Sequence, residues 1–533
     1  MSDATSPTIL AWYGTSTTAS KASFRRWTIV ALAFAILYFG NGFYRNKTAD
    51  LWAHPDQAIP VKVLQSMHAR SDLDTDWAKA DLPEYFRVCR YNFSGYLIAA
   101  YAIIRFNQPD AFTDDLRLNV ELRRISRVFS TLTLLLVFLL LATKRGIPAG
   151  VACALAVASV PQLLQDANYA RPEALSTFCF TLCFAICLLR PMTTVRRSIA
   201  LTAVALLSGF LASIKITYAV TALFLIPIVV DQWSHSRDHG VRITTLGLII
   251  ALATVGLMVG FVIGAPATLL DPAGYLDGLQ ALQRQYAVGH PPHGRIEAGM
   301  FSQGAAIAGY YLAALGALPL LLHLAGYVGK GLNSAKYAYL AILIITLGGF
   351  LLQKVFFERN FSLLLPSFVI IAIVGLDNLV QWLGRWLPKP IWSSWPQAVL
   401  SAFLLLFCWS SAFLVTRDLA AFFDRRPYLA MRESREAFSG EVMIRIGATS
   451  LSRLSFADVH AKRYPKGETC ALYSVSTFND DWSSRFLRDL PARFRIVDTI
   501  ASTFSGIPVS TLHTYHSPTD YLFIDASQCE EDE

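Results

Sequence analysis

Two kinds of residue in this 533-residue chain are placed where they could do chemistry. The first is a crowd of carboxylates between Tyr44 and Phe93: Asp50, Asp56, Asp72, Asp74, Asp76, Asp81 and Glu84. A carboxylate just beyond an apolar stretch can act as a general base on a hydroxyl, and Asp56, within His54-Pro55-Asp56-Gln57, is the candidate for that role. The second kind is a set of cations at the ends of apolar runs: Arg171, Lys215, Lys354 and Arg359. They suit an anion such as phosphate, on which charge builds during transfer, and Arg can hold it by a two-pronged fork. Each acid and cation has a plainer reading too. An acidic loop after an apolar span can be a solvated connector, and a cation at a span's end can be an anchor reaching for the interface. Lys215 is the hardest to explain as an anchor, because scarcely any loop separates the apolar runs on its two sides.

The elements that must position these residues are apolar. The chain is 54% hydrophobic and 16% charged, too apolar for a soluble enzyme of this size and suited to a polytopic α-helical membrane protein. Its net charge of +8 does not point to nucleic acid, since Lys and Arg are scattered in small groups between apolar runs. The first 24 residues are polar, and no cleavable leader is read before the first span.

A helix needs about 20 apolar residues to cross a bilayer, and shorter runs suffice where flanking residues snorkel. Eleven spans are expected, at 27–43, 124–142, 148–163, 174–189, 199–213, 216–231, 244–264, 304–327, 337–353, 362–382 and 398–415. With the tail 1–24 in the cytoplasm, the inner loops carry Arg25-Arg26, Lys144-Arg145, Arg196-Arg197, Arg237 with Arg242, Lys330 with Lys336, and Arg385 with Lys389. All are short and basic, as orientation by positive charge requires. The transmembrane domain then covers 25–415, and the outer face receives the loops 44–123, 164–173 and 265–303 and the segment 416–533.

Tyr91 to Phe106 reads as a helix lying along the membrane edge. Leu276, Leu279 and Leu282 mark another before Gly289-His290-Pro291-Pro292. The segment from 416 has short β-prone runs at Cys470–Val475, Phe494–Val497 and Tyr521–Ile524, and reads as a small α/β or α+β domain. Cys179, Cys183 and Cys187 recur on one helix face among apolar residues, as packing does. Cys470 and Cys529 would pair only if that domain lies in an oxidising compartment. Asp72, Asp74 and Asp76 alternate like a calcium loop but lack its glycine and terminal glutamate.

The ordered set of His54-Pro55-Asp56, Asn92-Phe93-Ser94-Gly95-Tyr96, Tyr169-Ala170-Arg171-Pro172-Glu173, Gly264-Ala265-Pro266, Gly289-His290 and Phe357-Glu358-Arg359-Asn360 before Leu365-Pro366 resembles the GT-C superfamily of membrane glycosyltransferases. The branch is the one similar to protein O-mannosyltransferases and aminoarabinose transferases, and the resemblance covers about residues 25 to 415. It implies a polyprenyl-phosphate-linked sugar donor, an acceptor hydroxyl on a lipid, glycan or protein, and transfer on the periplasmic face of a cell inner membrane, with no nucleic-acid partner. It sets Asp56 where the family has its base. Gln57 stands where many members have a second acid, so Glu84, Asp166 and Glu173 are candidates to supply one. Arg171, Lys215, Lys354, Arg359 and His290 are expected to hold the donor phosphate. The resemblance fixes no cofactor, and a divalent metal held by Asp56, Glu84 and His54 is compatible with it. Two other readings stay open: a transporter or flippase of lipid-linked sugars, and a non-catalytic envelope scaffold.

Overall fold

The computed structural model describes residues 18–45, 55–189, 194–237, 243–288, 299–328, 334–355, 357–384, 405–410, 412–414 and 416, together with four strands and three isolated residues further on. By its contacts the chain forms two units, Met1–Arg45 with Ala58–Thr416, and Asn46–Gln57 with Arg417–Glu533.

The first unit is helical. Its helices are α1 (Thr18–Phe43), α2 (Ala58–Arg70), α3 (Glu84–Arg87), α4 (Ser94–Asn107), α5 (Asp115–Arg145), α6 (Ile147–Ala158), α7 (Pro161–Asn168) and α8 (Glu173–Leu189). There follow α9 (Thr194–Ile214), α10 (Leu225–Arg237), α11 (Ile243–Gly264), α12 (Pro272–Val288), α13 (Met300–Leu315), α14 (Ala317–Ala325), α15 (Ala335–Leu351) and α16 (Leu365–Gly384). Phe34, Tyr38 and Phe39 on α1 and Val255, Met258 and Ile263 on α11 stand exposed. Continuous apolar surface of that extent is unfavourable against water and natural against lipid. The chain is an α-helical, multi-pass membrane protein.

Among the described residues six helical stretches are long and apolar enough to cross a membrane, or up to eight if each bent pair is one span. Glu173–Leu189 and Ala335–Leu351 are shorter apolar helices. The expected span 148–163 is not one helix. Pro161 has no N–H to continue α6 and pushes Val160 into an extended conformation, so α6 and α7 meet at a bend of 67°. The expected span 304–327 is likewise bent, by 99°, at Gly316, whose φ of 84° suits glycine. The expected span 216–231 begins as a 3-10 helix, Ile216–Phe224. Half of span 398–415 lies outside the described residues.

Helix α5 is the long organising rod. Asp114 caps its first turn by accepting from the Arg117 N–H at 2.8 Å, and Gly146, with φ 100°, follows its last residue. Arg145, at that end, pairs with Asp377 of α16 at 3.1 Å. Helices α9 and α11 pack most closely, because Gly256, Gly260 and Gly264 recur every fourth residue and bring the two backbones together.

The acidic loop after α2 is mostly self-capping. The Asp72 carboxylate accepts from the Asp74 N–H at 3.1 Å, Asp74 from the Asp76 N–H at 3.0 Å, and Asp76 from the Ala78 N–H at 3.0 Å. Arg70 pairs with Asp72 and Lys79 with Asp74. Arg90 donates to both Asp76 oxygens at 3.0 Å and also pairs with Asp271, which accepts from the Tyr91 hydroxyl at 3.1 Å. These bonds tie the loop to the start of α12. Burial pushes the Asp72 carboxyl up, but bonds from Arg70 and the Asp74 backbone, with the charges of Arg70 and Lys79, hold it below the usual carboxylate range. The Gly274 N–H leads in holding Asp271 low, against slight burial and helped by Tyr91 and Arg90.

In the second unit, β1 (Ile444–Ile446), β2 (Leu472–Thr477), β3 (Phe494–Ala501) and β4 (Thr519–Asp525) form a sheet in the order β1-β2-β4-β3. β1 and β2 are parallel, and the other pairs antiparallel. A bulge between Ile496 and Asp498 shifts the β3 register. The runs Phe494–Val497 and Tyr521–Ile524 are strands, and Cys470–Val475 is one from Leu472 onward, while Cys470 and Cys529 lie outside the described residues.

Two predictions follow from these contacts. A Cβ at Gly260 would be driven into the Leu206 carbonyl, so Gly260→Val should cost about 1–3 kcal/mol or more, read by thermal unfolding in detergent. The loop's depressed carboxyls contribute stability at any pH above the ordinary value, about 4, and lose it as pH falls through their lowered values. Amide-exchange protection over 70–92 should therefore hold from pH 7 to about 4 and fall below that; a decline already complete by pH 5 would contradict it.

Candidate functional site

Four chain breaks bring charged residues together inside the first unit. Helix α7 is buried at every one of its eight residues although four are polar, Gln162, Gln165, Asp166 and Asn168. Asp166 Oδ1 accepts from Gln162 Nε2 at 2.8 Å, an i to i+4 pair on one face, and Gln162 Oε1 accepts from the Tyr310 hydroxyl of α13 at 3.1 Å. The next residues turn sharply. Ser126 of α5 donates to the Tyr169 carbonyl at 2.7 Å, fixing the turn, and the Arg171 guanidinium lies 5.8 Å from the Tyr169 ring centre. Glu173 opens α8, where a carboxylate is favoured by the helix dipole.

The third break is Lys215. Its backbone is extended, φ −142° and ψ 127°, between the end of α9 and the 3-10 helix. Its Nζ donates to Glu173 Oε1 at 2.8 Å and to Asn360 Oδ1 at 3.3 Å, and lies 5.5 Å from the Phe93 ring centre and 5.4 Å from that of Tyr218. Phe93 reaches it because the Phe93 N–H donates to the Ile214 carbonyl at 3.1 Å and because Gly95 has no Cβ to strike Ser213 of α9. The fourth break is the 3-10 helix Glu358–Leu364 before α16. Asn360 donates onward to the Tyr286 hydroxyl of α12 at 3.1 Å, and Arg359 stacks over Phe357 at 4.4 Å. Glu358 is fully buried.

Glu173 thus lies in the field of Lys215 first, then of Arg171 and Arg359, while Asp166 feels Glu173 and Lys215. The Glu173 side chain is 1% exposed and that of Lys215 14%. Charges so buried persist only when paired. A small cavity of about 10 Å³, lined by Tyr44, Ser130, Thr133, Asp166 and Thr177 among others, has room for on the order of one water beside Asp166.

Of the residues singled out in the sequence, the structure brings together Arg171, Lys215, Arg359, Asp166 and Glu173. Lys354 sits alongside, half-buried, its backbone N–H donating to the Tyr286 carbonyl at 3.0 Å. Glu84 does not join them; it is exposed on α3, which buries no residue. Asp56 lies in a 3-10 turn, Pro55–Gln57, and belongs to the second unit. His54 and His290 lie outside the described residues. Among the described residues no group of three or more His, Cys, Asp or Glu stands together to hold a metal. Asn360, Tyr286, Gln162 and Tyr310 were not singled out as site residues. Asn360 follows Arg359 directly and Gln162 stands one turn before Asp166, so those two carried a local signal; the tyrosines carried none.

The fold and the site together define a membrane protein with a buried, cation-rich cluster at its helix breaks. No family profile and no curated protein matches the sequence. Among solved structures the chain is similar to ArnT from Cupriavidus metallidurans in the apo state, at 10% identity and a TM-score of 0.49 over 96% of this chain and 100% of that one. Against ArnT bound to undecaprenyl phosphate the identity is 11% and the TM-score 0.48, over 97% and 100%. The Archaeoglobus fulgidus oligosaccharyltransferase in its apo form gives 11% and 0.44, over 73% of this chain and 56% of that one. Likeness at this level says nothing of activity.

The Glu173–Lys215 pair makes a direct prediction. Lys215→Met or Glu173→Gln alone strands a buried charge and should cost about 3–5 kcal/mol, whereas the double variant should recover most of that, read as thermal stability in a double-mutant cycle. Additive losses would mean that the two side chains are not coupled.

Proposed function

We propose that this protein is a glycosyltransferase that moves a sugar from a polyprenyl-phosphate donor to an acceptor hydroxyl. The observation that carries the reading is the hydrogen-bond state of Lys215. An ammonium has three donors, and two of the three on Lys215 are taken, by Glu173 and Asn360. The third can meet a phosphate oxygen without breaking the pair, and the charges of Arg171 and Arg359 act on the same carboxylate. Three such cations suit a leaving phosphate, whose negative charge grows as the sugar departs.

The donor leaves as polyprenyl phosphate, so that side needs cations rather than a strong acid. Asp56 takes the proton of the acceptor hydroxyl as general base. The acceptor oxygen bonds to the anomeric carbon, and the carbon–oxygen bond to phosphate breaks with its electron pair going to the phosphate. Attack in line inverts the anomeric configuration. The reaction runs on the periplasmic face of a cell inner membrane, with the N-terminus cytoplasmic and residues 416–533 periplasmic. The bends at Val160 and Gly316 favour a second reading, a transporter of lipid-linked sugars, since discontinuous helices commonly frame transport sites.

Turnover of a panel of polyprenyl-phosphate sugars by purified protein separates the two. The transferase reading expects release of polyprenyl phosphate from one donor, and a fall of about a hundredfold or more in Asp56→Asn with donor binding kept. Binding without turnover by either protein, whatever acceptor is supplied, would leave the transporter.

A further inference from the structure

Basic residues stand at both ends of α1 and α5, and the rule that orients membrane helices accounts for only one end. Arg25-Arg26 and Lys144-Arg145 mark one end, where Arg25 donates to the Ala142 carbonyl at 3.2 Å. The helices run antiparallel from there: Gly40 lies against Thr131 and Leu134, and Tyr44 shares a cavity lining with Ser130. This brings Arg45 beside Arg127, with Arg124 one turn away on α5.

Among the described residues the charges at that second end do not balance. The charged groups that act on Arg127 are Arg124, Arg45 and Glu121. Glu121 is already bonded to Arg124. Arg127 is half-buried, its Nε–H meets no acceptor, and no carboxylate pairs with it among the described residues. A partly desolvated guanidinium beside two like charges is costly unless an anion sits among them. The surroundings say which anion. Phe43 and Val128, close in the chain to Arg45 and Arg127, and Phe39, one turn before Phe43, are 45%, 49% and 70% exposed, apolar surface fit for acyl chains.

We propose that Arg45, Arg124 and Arg127 form a site for the phosphate of an anionic membrane phospholipid, seated in the groove between α1 and α5. The lipid phosphate takes the Arg127 fork and its chains lie along Phe39, Phe43 and Val128. None of the three arginines belongs to the cluster around Lys215, so the site stands or falls separately from the transferase reading.

The test uses the full chain in nanodiscs of phosphatidylcholine with and without phosphatidylglycerol, followed by native mass spectrometry of lipids retained on extraction. Wild type should keep phosphatidylglycerol in preference, and R124Q/R127Q should keep roughly tenfold less or lower, at an unchanged melting temperature. If the double variant does not fold, the single Arg127→Gln, measured the same way, should show the larger part of the loss. Equal retention by wild type and variant would overturn the proposal. So would an equal loss in Arg117→Gln, an exposed arginine on the same helix outside the group, because that would reveal only a diffuse charge effect. Complete displacement by millimolar inorganic phosphate would assign the site to free phosphate and overturn the lipid.

Discussion

The structure depends on one constraint: charge inside a low-dielectric bundle must meet opposite charge or a hydrogen bond. The pair between Glu173 and Lys215 is where that constraint acts most strongly. Neither residue could occupy its place in the middle of a regular helix crossing apolar surroundings. Each stands at a chain break, Glu173 after the turn at Tyr169 and Lys215 at an extended residue between two helices. A helix break leaves unpaired backbone groups, and these need polar company as much as the side chains do. Breaks and charges therefore gather at one locus, and Pro161, Pro172 and the 3-10 turn at Glu358 belong to the same solution.

The acidic loop obeys the same constraint in a different way. Asp72, Asp74 and Asp76 spend their oxygens on backbone N–H groups two residues ahead and on Arg70, Lys79 and Arg90. High acid density there is explained by a chain that must hold shape without a helix. Arg90 carries the order further, because it also reaches Asp271, and α12 bears Tyr286, which Asn360 bonds inside the cluster. A structural loop is thus connected through one helix to the charged site.

How much was legible in the sequence follows from the range of each interaction. Most of the apolar runs lie in helices, because hydropathy is a local property. The breaks were missed even where their signals were present: Pro161 sat inside an expected span, and hydropathy, which counts Pro161 among its neighbours, does not register a missing N–H. Gly316 was missed because hydropathy does not register a backbone angle, φ 84°, that suits glycine. In the site, Arg171, Lys215 and Arg359 were legible because a cation between apolar runs is anomalous on its own. Asp166 and Glu173, read from the sequence as candidate second acids, have an amide and an ammonium as partners. Tyr286 and Tyr310 were invisible, since a tyrosine in an apolar segment is ordinary until its hydroxyl is seen to be used.

Those partners bear on which acid is free to act. A general base must reach the proton that it removes, so its oxygens must be open to the acceptor. Glu173 has one oxygen held by Lys215, and Asp166 has one held by Gln162, with both residues buried. The other oxygen of each, Glu173 Oε2 and Asp166 Oδ2, meets no donor, but both lie buried, so an acceptor would have to enter the charged cluster itself to reach them. A carboxylate that anchors a phosphate-binding cation and also takes a proton would loosen its hold on that cation just as charge builds on the phosphate. The two duties conflict within one residue. They are compatible if the anchoring acid stays with the cations and the base comes from elsewhere in the chain.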